Sequence, residues 1–123
     1  ATIHDPSLFG YVAALAAFRD GGPWLAAQLD YLRANRDRVG QWVDSTPGLS
    51  MARTESTYLA WIDCAGLGVV DPNALFLEHG VALSPGSQFG APAFVRLNFG
   101  TQRARLEAAL ARMSSAVSST RSR

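Results

Sequence analysis

The run Phe94-Val95-Arg96-Leu97-Asn98-Phe99-Gly100 constrains the fold more than any other stretch of this chain. β-Branched and aromatic residues closed by a glycine, with helical periodicity starting directly afterwards, predict a strand. Side chains alternate across a strand, so Val95, Leu97 and Phe99 share one face and Phe94, Arg96 and Asn98 the other. The first face is apolar and needs a core behind it. The second carries a guanidinium between apolar neighbours, which needs either solvent or an anion. Its planar fork can take a carboxylate with two parallel charged hydrogen bonds. Arg96 is therefore the leading candidate site residue, with an arginine on the wet face of a half-exposed sheet as the plain alternative.

The rest of the chain supplies partners for that strand. Asp5-Pro6-Ser7 opens a first helix with a capping residue and a proline suited to the first turn, and Gly21-Gly22 stop it after Asp20. Between Leu8 and Phe18 this helix has no charged residue, and Phe9, Tyr11, Val12, Leu15 and Phe18 point to every side. A helix apolar all round is covered all round, either as a core helix or by a neighbour outside the sequence. Pro23 begins a second helix that runs to about Ser45 and ends at Thr46-Pro47-Gly48, with Leu25, Leu29, Leu32, Val39 and Val43 as its apolar stripe. Asp30, Arg33 and Asp37 stand at helical neighbour spacings and mark a solvated face.

Leu49 to Arg53 and Tyr58 to Asp63 read as a hairpin joined through Thr54-Glu55-Ser56. Asp71 and Pro72 start a short helix that ends at His79-Gly80, where a histidine suits the helix C-terminus without any catalytic role. Val81 to Ser84 reads as a third short strand, Pro85 to Gly90 as a turn-rich loop, and Thr101 as the cap of a last helix with Leu106, Ala109, Leu110 and Met113 on one face. Ser114 to Arg123 reads as a mobile Ser/Arg tail. The order predicts an α+β fold, a small, mainly antiparallel sheet with helices packed on one face, preceded by a long helix of interdomain type.

At 123 residues with 48% hydrophobic content, the chain has enough for one modest core. A formal net charge of +1 gives no electrostatic footprint for nucleic acid. No apolar stretch approaches the roughly 20 residues of a membrane span, and no secretory pattern opens the sequence. His4 falls in a frayed end; two distant histidines and one cysteine make no metal signature. Cys64, expected to be a buried small apolar residue, permits no internal disulfide and fits a reducing cytoplasm. The first residue is Ala1, which leads us to expect a chain processed or cut from something longer.

Several separated motifs then agree in order: Trp24-Leu25 and Tyr31-Leu32-Arg33-Ala34-Asn35-Arg36 on the long helix, Thr57 to Asp63, Val81 to Gly90 with Ala91-Pro92, and the Arg96 strand. Together they resemble the C-terminal small domain of fold-type I pyridoxal-phosphate enzymes, in the cystathionine β-lyase branch that is similar to class I/II aminotransferases. The resemblance implies that Arg96 binds the substrate α-carboxylate and that Phe89 forms a wall of the substrate entrance. Tyr58 could line the cofactor cleft or serve simply as a strand tyrosine in the core. The family usually has glycine where this chain has Ser56, which leaves the turn there open.

All eleven basic residues are arginine, and there is no lysine. Enzymes that use pyridoxal phosphate hold it as a Schiff base on a lysine amine, so this chain cannot form that linkage by itself. The resemblance therefore implies a missing N-terminal large domain that carries the lysine and the cofactor, with no catalytic or cofactor-binding residue and no bound cofactor expected in this chain alone. Residues 1–22 become an apolar helix leading out of that domain, 23–113 the small domain and 114–123 the tail. The function implied is the substrate-gripping part of a C–S β-lyase acting on cystathionine-like amino acids, homodimeric in the parent. An aminotransferase of the same fold shares the arginine and remains open. From another class, so does a lysine-free module that binds an amino acid or a protein without catalysis.

Overall fold

The computed structural model describes residues 7–121. Two compact units divide the chain, the first ending at Tyr31 and the second beginning at Leu32. The division falls inside the long helix Gly22–Asp44.

In the first unit, helix α1 (Leu8–Asp20) is capped by Ser7, whose hydroxyl accepts from the Gly10 N–H at 3.2 Å. Asp5 and Pro6, expected to share in this start, lie outside the described residues, as does His4. Gly21 closes α1 by donating to the Ala17 carbonyl and begins the next helix by accepting from the Leu25 N–H, both at 2.9 Å. Helix α1 buries none of its residues: Phe9 is 83% and Phe18 91% exposed. The early turns of helix α2 (Gly22–Asp44) continue this pattern, with Trp24 and Leu25 exposed.

The second unit holds the core. Its sheet has the order β1-β2-β4-β3 and is antiparallel throughout, built from β1 (Ser50–Met51), β2 (Leu59–Asp63), β3 (Ser84–Pro85) and β4 (Phe94–Asn98). Alternation works as the pattern requires. Ala60 and Ile62 of β2 and Val95 and Leu97 of β4 are buried, while Trp61, Phe94 and Arg96 on the other face are half-buried. Behind the buried face stand Val39, Trp42 and Val43 of α2, Phe76 of α3 (Pro72–Glu78), and Leu106, Leu110, Met113, Ala116 and Val117 of α4 (Arg103–Thr120). Burying a side chain such as Phe76 or Phe99 is worth about 2–3 kcal/mol, and both are essentially inaccessible. The bidentate pair Arg38–Glu107, at 2.8 and 2.9 Å, ties α2 to α4.

Four local expectations are corrected. The third strand is Ser84–Pro85, not Val81 to Ser84, because only these two residues reach β4, and Pro85 has no N–H with which to extend the ladder. The first strand pairs over two residues only, so the connection to β2 is longer than Thr54 to Ser56. Thr101 does not cap α4: the cap position is Gln102, which makes no side-chain bond, and the Thr101 carbonyl is engaged elsewhere. The expected tail is helix as far as Thr120, with Ala116 and Val117 buried. Its hydroxyls bond back to carbonyls three or four residues earlier, as Ser118 does to Ser114 at 3.0 Å and Thr120 to Val117 at 2.8 Å. Ser114 also accepts the Trp42 indole N–H at 2.8 Å, which fixes that turn to α2.

Candidate functional site

Strand β4 lies inside the sheet, with β2 on one side and β3 on the other, so its side chains have neighbours on both flanks. Arg96 stands opposite Trp61 of β2 and opposite Ser84 of β3. The three residues form a row across the open face. The Arg96 Nη2 donates to Ser84 Oγ at 3.1 Å, and the guanidinium carbon lies 4.8 Å from the centre of the Phe89 ring. That is the geometry of a cation held over an aromatic face. Trp61 completes the corner, stacked on Phe94 at 5.3 Å with an interplanar angle of 14° and edge-on to Phe89 at 5.6 Å.

Phe89 reaches Arg96 because the loop after β3 is tight. Gly86 starts a short turn through Phe89, and Gly90 closes it in the left-handed region at φ 76°. A Cβ on Gly86 would run into the carbonyl oxygens of Ala91 and Phe94, and the Ala91 N–H donates to the Gly86 carbonyl at 2.9 Å. Only glycine lets these backbone segments meet so closely. The chain is thereby folded back on itself with Phe89 at the guanidinium.

Among the described residues no carboxylate pairs with Arg96. A guanidinium carries five N–H donors arranged in two forks, side-on (Nε and Nη2) and end-on (Nη1 and Nη2). Nη2 contributes one N–H to each fork and gives one of them to Ser84, so one whole fork is left for an anion. The corner is open on one side: Arg96, Trp61, Ser84 and Phe94 are half-buried and Phe89 is 51% exposed.

The structure thus brings Arg96 and Phe89 together and sets Tyr58 elsewhere, at the exit of β4. Its carbonyl accepts from the Phe99 N–H at 2.9 Å, and its ring lies 3.2 Å from where a Cβ on Gly100 would be. The positive backbone angle in this turn belongs to Thr57, at φ 66°, rather than to Ser56. Strand alternation puts Phe94 on the face of Arg96, but the sequence alone does not mark Trp61 and Ser84 as its neighbours, which only the register of β2 and β3 on β4 brings opposite it. Cys64 is buried, and its thiol is pushed up to about 12, first by burial and then by the charge of Asp63. That thiol is no nucleophile at neutral pH.

The family model for aminotransferase class I and II matches residues 7–113. The chain belongs to that family. A putative cystathionine β-lyase of Mycobacterium tuberculosis strain H37Rv is 42% identical to it, over 90% of this chain and 33% of the relative. The crystal structure of OvoB superposes with a TM-score of 0.89 at 53% identity, covering 97% of this chain and 31% of that one. A putative PLP-dependent β-cystathionase from Corynebacterium diphtheriae gives 0.84 at 36%, covering 94% and 32%. This member of the aminotransferase class I and II family therefore spans about a third of the length of these relatives. The resemblance carried by Thr57 to Asp63, Val81 to Gly90 and the Arg96 strand holds at the level of the family, its cystathionine β-lyase relatives and its fold.

Proposed function

We propose that this chain is the substrate-gripping small domain of a pyridoxal-phosphate C–S β-lyase that acts on cystathionine-like amino acids, releasing a thiol, pyruvate and ammonia. The observation that carries the reading is Arg96, held over Phe89 and bonded to Ser84 with one fork of its guanidinium free. A carboxylate taken by that fork is fixed in plane and direction by two parallel hydrogen bonds, which orients the Cα–H bond of the bound amino acid for removal. Pyridoxal phosphate, when bound, supplies the electron sink that stabilises the resulting carbanion. This chain has no lysine to hold it, so the attachment and the proton-transferring base belong to the remainder of the enzyme.

Two features support a missing large domain on this reading. An ion pair in open water is worth about 0–1 kcal/mol, so an open corner grips a carboxylate well only when something else covers it. Helix α1, apolar and uncovered, is the surface such a domain would bury. A cytoplasmic homodimer belongs to the same reading. The family name also admits an aminotransferase, which would keep the sulfur in its keto-acid product.

The test uses the full-length enzyme with L-cystathionine. Arg96→Lys keeps the charge and removes the fork, and is expected to lower kcat/KM by about 10- to 100-fold, chiefly through KM. Unchanged kinetics would remove Arg96 from the site. Thiol and pyruvate as products mark the lyase; a keto acid that retains sulfur marks the aminotransferase.

A further inference from the structure

Among the described residues of the second unit, Asn35 is the buried polar side chain, with no accessible surface. Its amide donates one N–H to the Phe99 carbonyl at 2.8 Å and the other to the Thr101 carbonyl at 2.9 Å, while its own oxygen accepts from Arg103 Nε. Both carbonyls belong to the segment leaving β4, three and five residues after Arg96. The Phe99 N–H is already given to the Tyr58 carbonyl, so Phe99 is fixed through both backbone groups, to the approach of β2 on one side and to α2 on the other.

We infer that Asn35 is a positioning residue for Arg96, locking the register of β4 so that the guanidinium meets Ser84, Phe89 and Trp61. The inference rests on the carboxylate-gripping reading of Arg96. Strand geometry explains why a lock matters. A slip of one residue would turn Arg96 into the face now filled by Val95 and Leu97, and would expose both of them. A slip of two would keep the face but carry Arg96 about 7 Å along the sheet, away from Ser84 and Trp61. Strand β3 opposes this weakly, because it pairs with β4 over two residues only.

The apolar contacts of β4 do not by themselves choose a register, since Val95, Leu97 and Phe99 are all hydrophobic and two apart. An amide that must meet two particular carbonyls does choose one. A leucine at position 35 would fill the space without that selection. Buried polar groups used to fix register elsewhere act in the same way.

The test compares Asn35→Leu, Arg96→Lys and the double variant in the full-length holoenzyme, with L-cystathionine as substrate. Asn35→Leu is expected to raise KM about tenfold with a smaller change in kcat, and to add nothing to KM in the Arg96→Lys background. Asn35→Ser, which keeps one donor, is expected to fall between, and it carries the comparison if the leucine variant does not fold. Amide hydrogen exchange provides a readout independent of activity: residues 94–101 should exchange at least tenfold faster, with 106–117 unchanged. If Arg96→Lys raises KM and the effect of Asn35→Leu adds to it in full, the positioning role falls while the carboxylate reading stands. If Arg96→Lys leaves KM unchanged, both fall. Unaltered exchange over 94–101 also overturns the lock.

Discussion

Trp61 and Arg96 face each other across the β2–β4 ladder, and the two share Phe89: its ring stands perpendicular to the indole at 5.6 Å and takes the guanidinium on its face at 4.8 Å. Neither the tryptophan nor the arginine can shift without disturbing the ring they both touch. The arginine is therefore preorganised by apolar packing instead of by an acidic partner. This leaves its charge available while limiting its rotamers, which lowers the ordering cost of binding an anion.

Phe89→Ala removes both contacts. A cation over an exposed ring contributes about 0.5–1 kcal/mol, so in the full-length enzyme the variant is expected to raise KM for the amino acid about two- to fivefold with kcat little changed. Phe89→Tyr keeps the ring and should behave as the parent. Steady-state kinetics on the pair checks this; equal KM values for the alanine variant and the parent would reduce Phe89 to an exposed loop residue.

The sequence announced β4 because alternation and a closing glycine sat together at Phe94 to Gly100, and the buried positions of the structure follow that alternation. Asn35 left a subtler trace. The apolar stripe of the long helix steps from Leu32 to Val39 in one stride of seven, and Asn35 fills the gap, three residues after one and four before the other. A polar residue at a stripe position is a sign of a buried hydrogen-bond hub, but its partners, Phe99 and Thr101, lie more than sixty residues away and are visible only after folding. The turn through Ser114 to Thr120 was hidden for another reason. Serine favours loops because its hydroxyl competes for backbone groups, and here the hydroxyls satisfy carbonyls of their own helix while Ala116 and Val117 reach the core. The aromatic corner required the β2–β4 register, which no local pattern contains.

Thr57 holds a left-handed backbone at φ 66° despite a branched Cβ. That conformation costs about 1–2 kcal/mol for an L-residue, and the compensating bond, Leu59 N–H to Thr57 Oγ1, is long at 3.3 Å. Thr57→Gly is expected to stabilise the full-length protein by about 1 kcal/mol, with glycine's greater unfolded-state entropy offsetting part of the relief. Equilibrium denaturation checks the sign. A loss of stability would mean that the threonine hydroxyl holds the turn more firmly than its bond length suggests.

Cys64 gives a pH dependence whose sign follows from its surroundings. The folded thiol is pushed up to about 12 from the ordinary 9.0, by burial first and by the charge of Asp63 second. Below pH 9 the thiol is protonated in both the folded and the unfolded chain, and it contributes nothing to the slope. Between pH 9 and about 12 the unfolded chain releases the proton and the folded one keeps it, so the unfolded state binds fewer protons and stability falls as pH rises, by up to about 1.4 kcal/mol per unit. Cys64→Ala lacks this titration and should flatten the decline, at the expense of a small cavity at all pH values. Denaturation midpoints of the parent and the alanine variant from pH 7 to 11 test the argument: the two curves are expected to converge above pH 9, and parallel curves would show that the thiol is not protected. In the same protein, Cys64 should resist a thiol reagent at pH 8 until the chain is unfolded, because reaction requires a thiolate that the folded core suppresses.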